Sequence, residues 1–228
     1  MEGHSRAVGV YDLGTTSYGE VHKLQQRLQG QRREGGGVDT LLLTEHRPVF
    51  TLGRSHPTPD LRVEPEAVRQ WGIEIVQAER GGDITYHGPG QIVGYPIIDL
   101  DPDRRDVHKY VRDLEEVLIR VAADYGITTG RVAGLTGVWA GDEKLAAIGV
   151  RIQRWVTSHG FALNHTTDLS HFSLIVPCGI SDKGVTSLQK LGCVATRSEV
   201  EDRIAEHFGE VFGRTVQIDP SAPVPVGP

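Results

Sequence analysis

The chain has 228 residues, 38% hydrophobic and 24% charged, with a formal net charge of −6. That length can bury a sizeable core, and the balance is that of an ordinary soluble globular protein. The acidic charge, with no basic tail and no interleaved aromatic and basic residues, argues against nucleic acid as a partner. No run approaches the roughly 20 apolar residues of a membrane span.

The N-terminal MEGHSRAVGVYDLG has no positive segment leading into an apolar one, so the chain reads as cytosolic (cytoplasmic). Residues 8–13 read as a short strand. Ser17 with Glu20 makes a capping box, Val21, Leu24 and Leu28 follow on one helical face, and the glycine run 35–37 ends that helix. Residues 40–44 and 48–52 are β-like around a turn at 45–47, and 73–77, 92–98 and 145–152 are further strand candidates.

The clearest helix runs from about residue 106 to 125, with Val107, Tyr110, Val111, Leu114, Val117, Leu118 and Val121 as its apolar stripe. Ser198 with Glu201 forms a second capping box, opening a helix that buries Val200, Ile204, Phe208 and Val211. Strands outnumber helices and do not alternate with them. This predicts an α+β fold with a mixed, largely antiparallel sheet flanked by helices. A single domain over residues 1–219 follows, with a small C-terminal element at 193–219 and a Pro-rich tail at 220–228.

Residues 80–91, RGGDITYHGPGQ, hold four glycines: Gly81, Gly82, Gly88 and Gly90. Neither phosphate-loop spacing is present, and a strand follows where those loops need a helix. The segment suits the wall of a substrate cleft carrying Arg80, Tyr86 and His87, or else a Gly-rich hairpin with no ligand. Lys144, in GDEKLAAIGV, stands at the mouth of a small-residue strand, as a site residue or as a solvated lysine on a hairpin end. His159, His165 and His171 recur at intervals of six, without the tight ligand pairs of a zinc site.

The two cysteines, Cys178 and Cys193, form no CxxC pair, and cytosolic thiols stay reduced. Cys178 sits between Pro177 and Gly179 at the bend ending an apolar run. It is either a packed small hydrophobe or a nucleophile aimed into a cleft, where a neighbouring ammonium would favour the thiolate. Cys193, in KLGCVATR, has no such setting and reads as structural.

Taken in order, RGGDITYHGPGQ, KLAAIGV (144–150), HGFALN (159–164) and PCGI (177–180) closely resemble the motifs of the lipoyl(octanoyl) transferases. EHRPVFTLGR (45–54) is similar to that family's early motif, and the resemblance covers about residues 8–215. It implies a biotin/lipoate protein ligase-like fold. The implied activity moves an octanoyl or lipoyl group from octanoyl-acyl carrier protein to a lysine of lipoyl domains, in 2-oxoacid dehydrogenase complexes and the glycine cleavage H protein. Cofactor, nucleic acid and membrane have no part in it.

The resemblance also assigns roles. Cys178 forms an acyl-thioester, and Lys144 lowers its pKa and then serves as base. The acyl pocket draws on Arg80, Gly81, Gly82, Asp83, Ile84, Thr85, Tyr86 and His87, then on Ala147, Ile148 and Gly149, then on Gly160, Phe161 and Ala162. Small side chains at Ala146, Ala147, Gly149, Gly160 and Ala162 would leave space for an eight-carbon chain, at about 0.8 kcal/mol per buried CH₂. Arg54, Arg80, Arg151 and Arg154 are candidates for a basic rim facing acidic partner proteins. The rival readings are an ATP-dependent lipoate or biotin ligase of the same fold, which needs no nucleophilic cysteine, and a non-catalytic acyl-binding module.

Overall fold

The computed structural model describes residues 6–54, 61–175 and 183–218. Its first half runs β1 (Arg6–Thr16), α1 (Tyr18–Arg33), β2 (Asp39–His46), β3 (Val49–Leu52), α2 (Pro65–Gln70), β4 (Glu74–Gln77), β5 (Ile84–His87) and β6 (Gln91–Ile97). Then come α3 (Val107–Asp124), β7 (Gly130–Val132), β8 (Leu135–Ala140), β9 (Glu143–Gln153) and β10 (Val156–Asn164). A 3-10 helix (Leu169–Leu174), β11 (Gly184–Val185), α4 (Arg197–Phe212) and β12 (Arg214–Ile218) complete it.

Among the described residues the main sheet has the order β12-β1-β2-β6-β10-β9-β8-β7, with β11 beside β9, and a smaller sheet has the order β4-β3-β5. β1 pairs in parallel with β12 and β2, and from β2 to β7 each pairing along the path is antiparallel. The result is the mixed, helix-flanked α+β arrangement that the element pattern predicts.

Strand alternation makes three layers. Leu41 and Leu43 of β2 join Leu114, Val117 and Val121 of α3 and Ile204, Phe208 and Phe212 of α4. Leu42, between them, faces Val21 and Leu24 of α1. β10 is buried along its whole length, and both cores rest on it. β12 extends the main sheet through β1, and the buried Asp39 at the start of β2 ties β12 to the last turn of α1 by accepting from Arg214 Nε (3.1 Å) and Arg32 Nε (2.9 Å). No helix among the described residues is long and apolar enough to cross a membrane.

Helix starts test the capping signals directly. α1 opens as predicted, with Ser17 and Glu20 satisfying each other's orphan backbone N–H groups. α4 opens two residues earlier than predicted, at Thr196 with Glu199. Glu201 lies one turn inside the helix, partly desolvated against Arg197 at 2.8 Å, and is not available as a capping partner. In α3 the stripe needs two amendments: Val107, the first helical residue, is exposed, and Val111 borders a cavity. Glu115, on the same side, is fully buried.

Candidate active site

A cavity of about 470 Å³ opens over β6, β9 and β10, within the size range of small-molecule sites. Strand register makes its floor. Ala147 of β9 lies opposite Ala162 of β10, Gly149 opposite Gly160, and Val93 of β6 is beside Ala162. Alternation sends Ala146 and Leu163 to the α3–α4 core, so Ala146 leaves no space for a ligand, contrary to expectation. Ile148 and Phe161 border the cavity while packing with that same core.

The two floor glycines are small for a reason other than ligand space. A Cβ on Gly160 would stand 2.2 Å from the Gly94 carbonyl oxygen, and one on Gly149 would stand 3.0 Å from that of Gly81. Their bare backbones let β6 and the 80–83 loop approach. Gly81 N–H donates to Val150 O at 3.0 Å and ties that loop across β9.

Arg80, Gly81, Gly82, Asp83, Ile84, Thr85 and His87 all line the cavity. Tyr86 does not: it shares the small-sheet core with Ile84, and its ring packs there against Phe50, His171 and Phe172. Arg80 is buried and does not belong to a rim. Its Nη2 donates to Thr51 O at 2.6 Å and Thr51 Oγ1 at 2.8 Å, and Nη1 donates to Gly81 O at 3.0 Å. Of the other rim candidates, Arg54 and Arg154 are exposed, and Arg151 is paired with Glu79.

From Arg80 a chain of polar contacts crosses the site. Thr51 Oγ1 faces His87 Nε2 at 3.5 Å, and His87 Nδ1 lies 2.7 Å from Gln91 Oε1. The Gln91 amide nitrogen donates to Tyr86 O and Asn164 Oδ1, which makes its oxygen the acceptor and places the His87 proton on Nδ1. Asn164 Nδ2 donates to Thr186 O, and Thr186 N–H donates to Lys144 O. Burial pushes His87 and His159 down to about 3 and His46 to about 4. Near neutral pH these rings are uncharged, and His87 and His159, which line the cavity, give it shape and polarity without an acidic proton.

Lys144 enters the cavity at the start of β9. Its Nζ lies 4.8 Å from the ring centre of Trp139, its partner across β8. Lys183 Nζ lies 5.9 Å from the same ring and 2.6 Å from Asp142 Oδ1. Cys178 lies outside the described residues. Phe172 and Val185, on either side of that segment, both border the cavity. Cys193 is a free thiol buried in the main core, as expected of the structural one of the two cysteines.

The three spaced histidines have separate surroundings. His159 stacks on His22 with ring centres 5.5 Å apart, His165 Nε2 donates to Ala195 O at 2.9 Å, and His171 packs on Tyr86. Sequence reasoning did not single out Tyr18, Gln91, Tyr95 or Asn164, all of which line the cavity. Gln91 and Asn164 left one usable signal, a polar residue at the end of an apolar strand next to a Gly-rich motif.

Residues 17–209 match the lipoyl protein ligase A/B catalytic domain. The chain belongs to this family. An octanoyltransferase of Koribacter versatilis is 52% identical over 215 residues, covering 92% of this chain and 86% of its own length. An octanoyltransferase of Solibacter usitatus is 50% identical over 200 residues, covering 88% and 90%. A solved structure from the bi-partite lipoate protein ligase of Thermoplasma acidophilum matches with a TM-score of 0.74 at 16% identity, over 96% of this chain and 89% of that one. At that identity the likeness is one of fold, and it extends the lipoyl protein ligase architecture over nearly all of this family member.

Proposed function

We infer that this cavity is the acyl site of an octanoyltransferase, which carries an octanoyl group from acyl carrier protein to a lysine of a lipoyl domain through a thioester on Cys178. One observation carries this reading. Residues 80–85 with His87, 147–149 and 160–162, far apart in the chain, converge with Lys144 around a single cavity. Similarity over 88% and 92% of the chain to proteins named octanoyltransferase supports the same transfer here.

The chemistry needs a nucleophile and a proton carrier. The Cys178 thiolate attacks the carbonyl carbon of the donor thioester, and the carrier's thiolate leaves, taking a proton from the Lys144 ammonium. The acceptor lysine, with an ordinary pKa of about 10.4, then has to lose a proton to attack the new thioester. That proton passes to solvent, the neutral amine attacks, the neutral Lys144 amine takes the second proton as the amide C–N bond forms, and Cys178 departs as thiolate beside the restored ammonium. Thioester exchange is nearly isoenergetic and amide formation is downhill, so no nucleotide is consumed. His87 and His159, held uncharged by burial, are poor rivals for the proton-carrying role.

Ala147, Ala162 and Val93 offer the chain an apolar floor. Exposed Arg54 and Arg154, with Arg151 beside Glu79, give acidic carrier and lipoyl domains a place to dock. Mass spectrometry after incubation with octanoyl-acyl carrier protein, without ATP, tests the reading. An octanoyl adduct on the Cys178 peptide is expected. Transfer that requires ATP, or survives in Cys178→Ala, would replace it with ligase chemistry.

A further inference from the structure

We propose that Glu115 is a positioning residue for Lys144, acting through the Gly137 backbone of β8, which faces a bulge in β9. The proposal rests on the assignment of Lys144 as partner of the Cys178 thiol. Glu115 has a fully buried side chain on a helical face otherwise given to Leu114, Leu118 and Val121. A carboxylate at that depth persists only if it is fully bonded. Oε2 accepts from Arg112 Nη1 at 2.6 Å and Arg131 Nε at 2.9 Å, and Oε1 accepts the buried Gly137 N–H at 3.1 Å. Arg131 also pairs with Glu116.

The arginines do not explain why the carboxylate is buried. Their side chains are 51% and 35% exposed, and they could meet a carboxylate at the surface. The Gly137 N–H is the partner that cannot move outward. Gly137 has φ +127°, and a Cβ there would stand 2.6 Å from Ala146 O and 3.5 Å from Lys144 Cε. Only glycine fits this backbone, and the Lys144 side chain passes against it.

One residue past Gly137, between Val138 and Trp139, the β8–β9 register shifts: Val138 faces Ala146 and Trp139 faces Lys144, which leaves Leu145 of β9 as the extra residue. Such a bulge re-aims the side chains beside it. Here it sets Trp139 opposite Lys144, with the ammonium 4.8 Å from the ring centre. Glu115 thus holds β8 against the bulged strand, and β8 presents two surfaces to Lys144: the bare Gly137 backbone and the Trp139 ring.

The test is the pH midpoint of Cys178 alkylation by iodoacetamide, read by peptide mass so that Cys193 is counted separately, together with the transfer rate. Glu115→Ala frees the bulge, lets the ammonium drift, and is expected to raise the midpoint toward the ordinary thiol value of about 8.5. The transfer rate should fall by as much as about 100-fold, the scale of a small misplacement at a catalytic group. Glu115→Gln keeps an oxygen for the fixed Gly137 N–H while the exposed arginines turn to solvent, and its midpoint should not rise.

Charge alone would act in the opposite direction. Removing an anion beside two guanidiniums lowers a nearby thiol's pKa, so a rise confined to alanine reports geometry. Gly137→Ala disturbs the same bulge from its other side and should raise the midpoint even if Glu115→Ala does not fold. In a Lys144→Ala background neither change should move the midpoint further. A midpoint unmoved by Glu115→Ala and Gly137→Ala but raised by Lys144→Ala would overturn the positioning role. A midpoint unmoved by Lys144→Ala would instead overturn the assignment of Lys144.

Discussion

Ala147 and Ala162 stand directly opposite each other on β9 and β10 and line the cavity, two pairs along from Gly149 and Gly160, where any side chain would run into neighbouring backbone. The glycine pair is occupied by neighbouring backbone. One small-residue patch therefore divides into a measuring surface and a packing surface.

Enlarging the measuring surface should shorten the acyl chain that fits. Ala147→Leu adds three carbons over the floor, displacing a similar number of methylenes. At about 0.8 kcal/mol each, octanoyl transfer should fall by roughly fifty-fold relative to a butyryl donor. The ratio of kcat/KM for the two donors measures this. Equal losses for both lengths would mean that the chain lies elsewhere.

Enlarging the packing surface should cost stability without changing chain preference. Gly160→Ala pushes a methyl group to within 2.2 Å of the Gly94 oxygen and 2.6 Å of Pro96 Cδ. Overpacking of this kind destabilises by about 1–3 kcal/mol. Urea unfolding should show the loss, while the donor-length ratio stays at the parent value.

What the sequence reveals follows the range of the interactions involved. Ser17 and Glu20 satisfy each other within four residues, so the start of α1 is legible from spacing alone. Thr196 with Glu199 and Ser198 with Glu201 have the same spacing, and the choice depends on where Glu201 goes. It turns toward Arg197, which also holds Asp12 of β1, a contact no local pattern contains. Likewise Lys144 and the Gly-rich motifs are readable as motifs, whereas Gln91 and Asn164 gain meaning only when β6 and β10 are laid side by side. Glu115 within an apolar stripe looks like a solvated charge until the helix is packed.

Acid should destabilise the fold before its ordinary carboxylates protonate. His46, His87 and His159 are pushed by burial to about 4, 3 and 3, against about 6.5 in an unfolded chain. As pH falls below about 6.5 the unfolded state takes up protons that these rings refuse, so stability declines toward pH 4. Glu201, raised to about 7 by burial, acts in the opposite direction between about 7 and 4.5 and offsets one of the three. The net uptake approaches two protons, or about 2.7 kcal/mol per pH unit at most. Urea unfolding at pH 7 and pH 5 measures it, and His159→Gln should flatten the slope. Equal stability at the two pH values would mean that the rings are not held neutral.

The two thiols should separate completely by function. Cys178→Ser replaces the proposed acyl carrier with a hydroxyl that is far less ionised near neutral pH, so transfer should be lost while the fold persists. Cys193 is 5% exposed and packed in the core under α3 and α4. Cys193→Ser should therefore retain transfer activity but lower stability by about 1–3 kcal/mol, because a hydroxyl is buried in an apolar site. Cys193→Ala keeps the site apolar and is the cleaner control. Octanoyl-acyl carrier protein supplies the assay for all three variants, with thermal melting run alongside. A folded Cys178→Ser that still transfers at the parent rate would rule out the thioester, and a loss of transfer in Cys193→Ala would mean the chemistry had been assigned to the wrong sulfur.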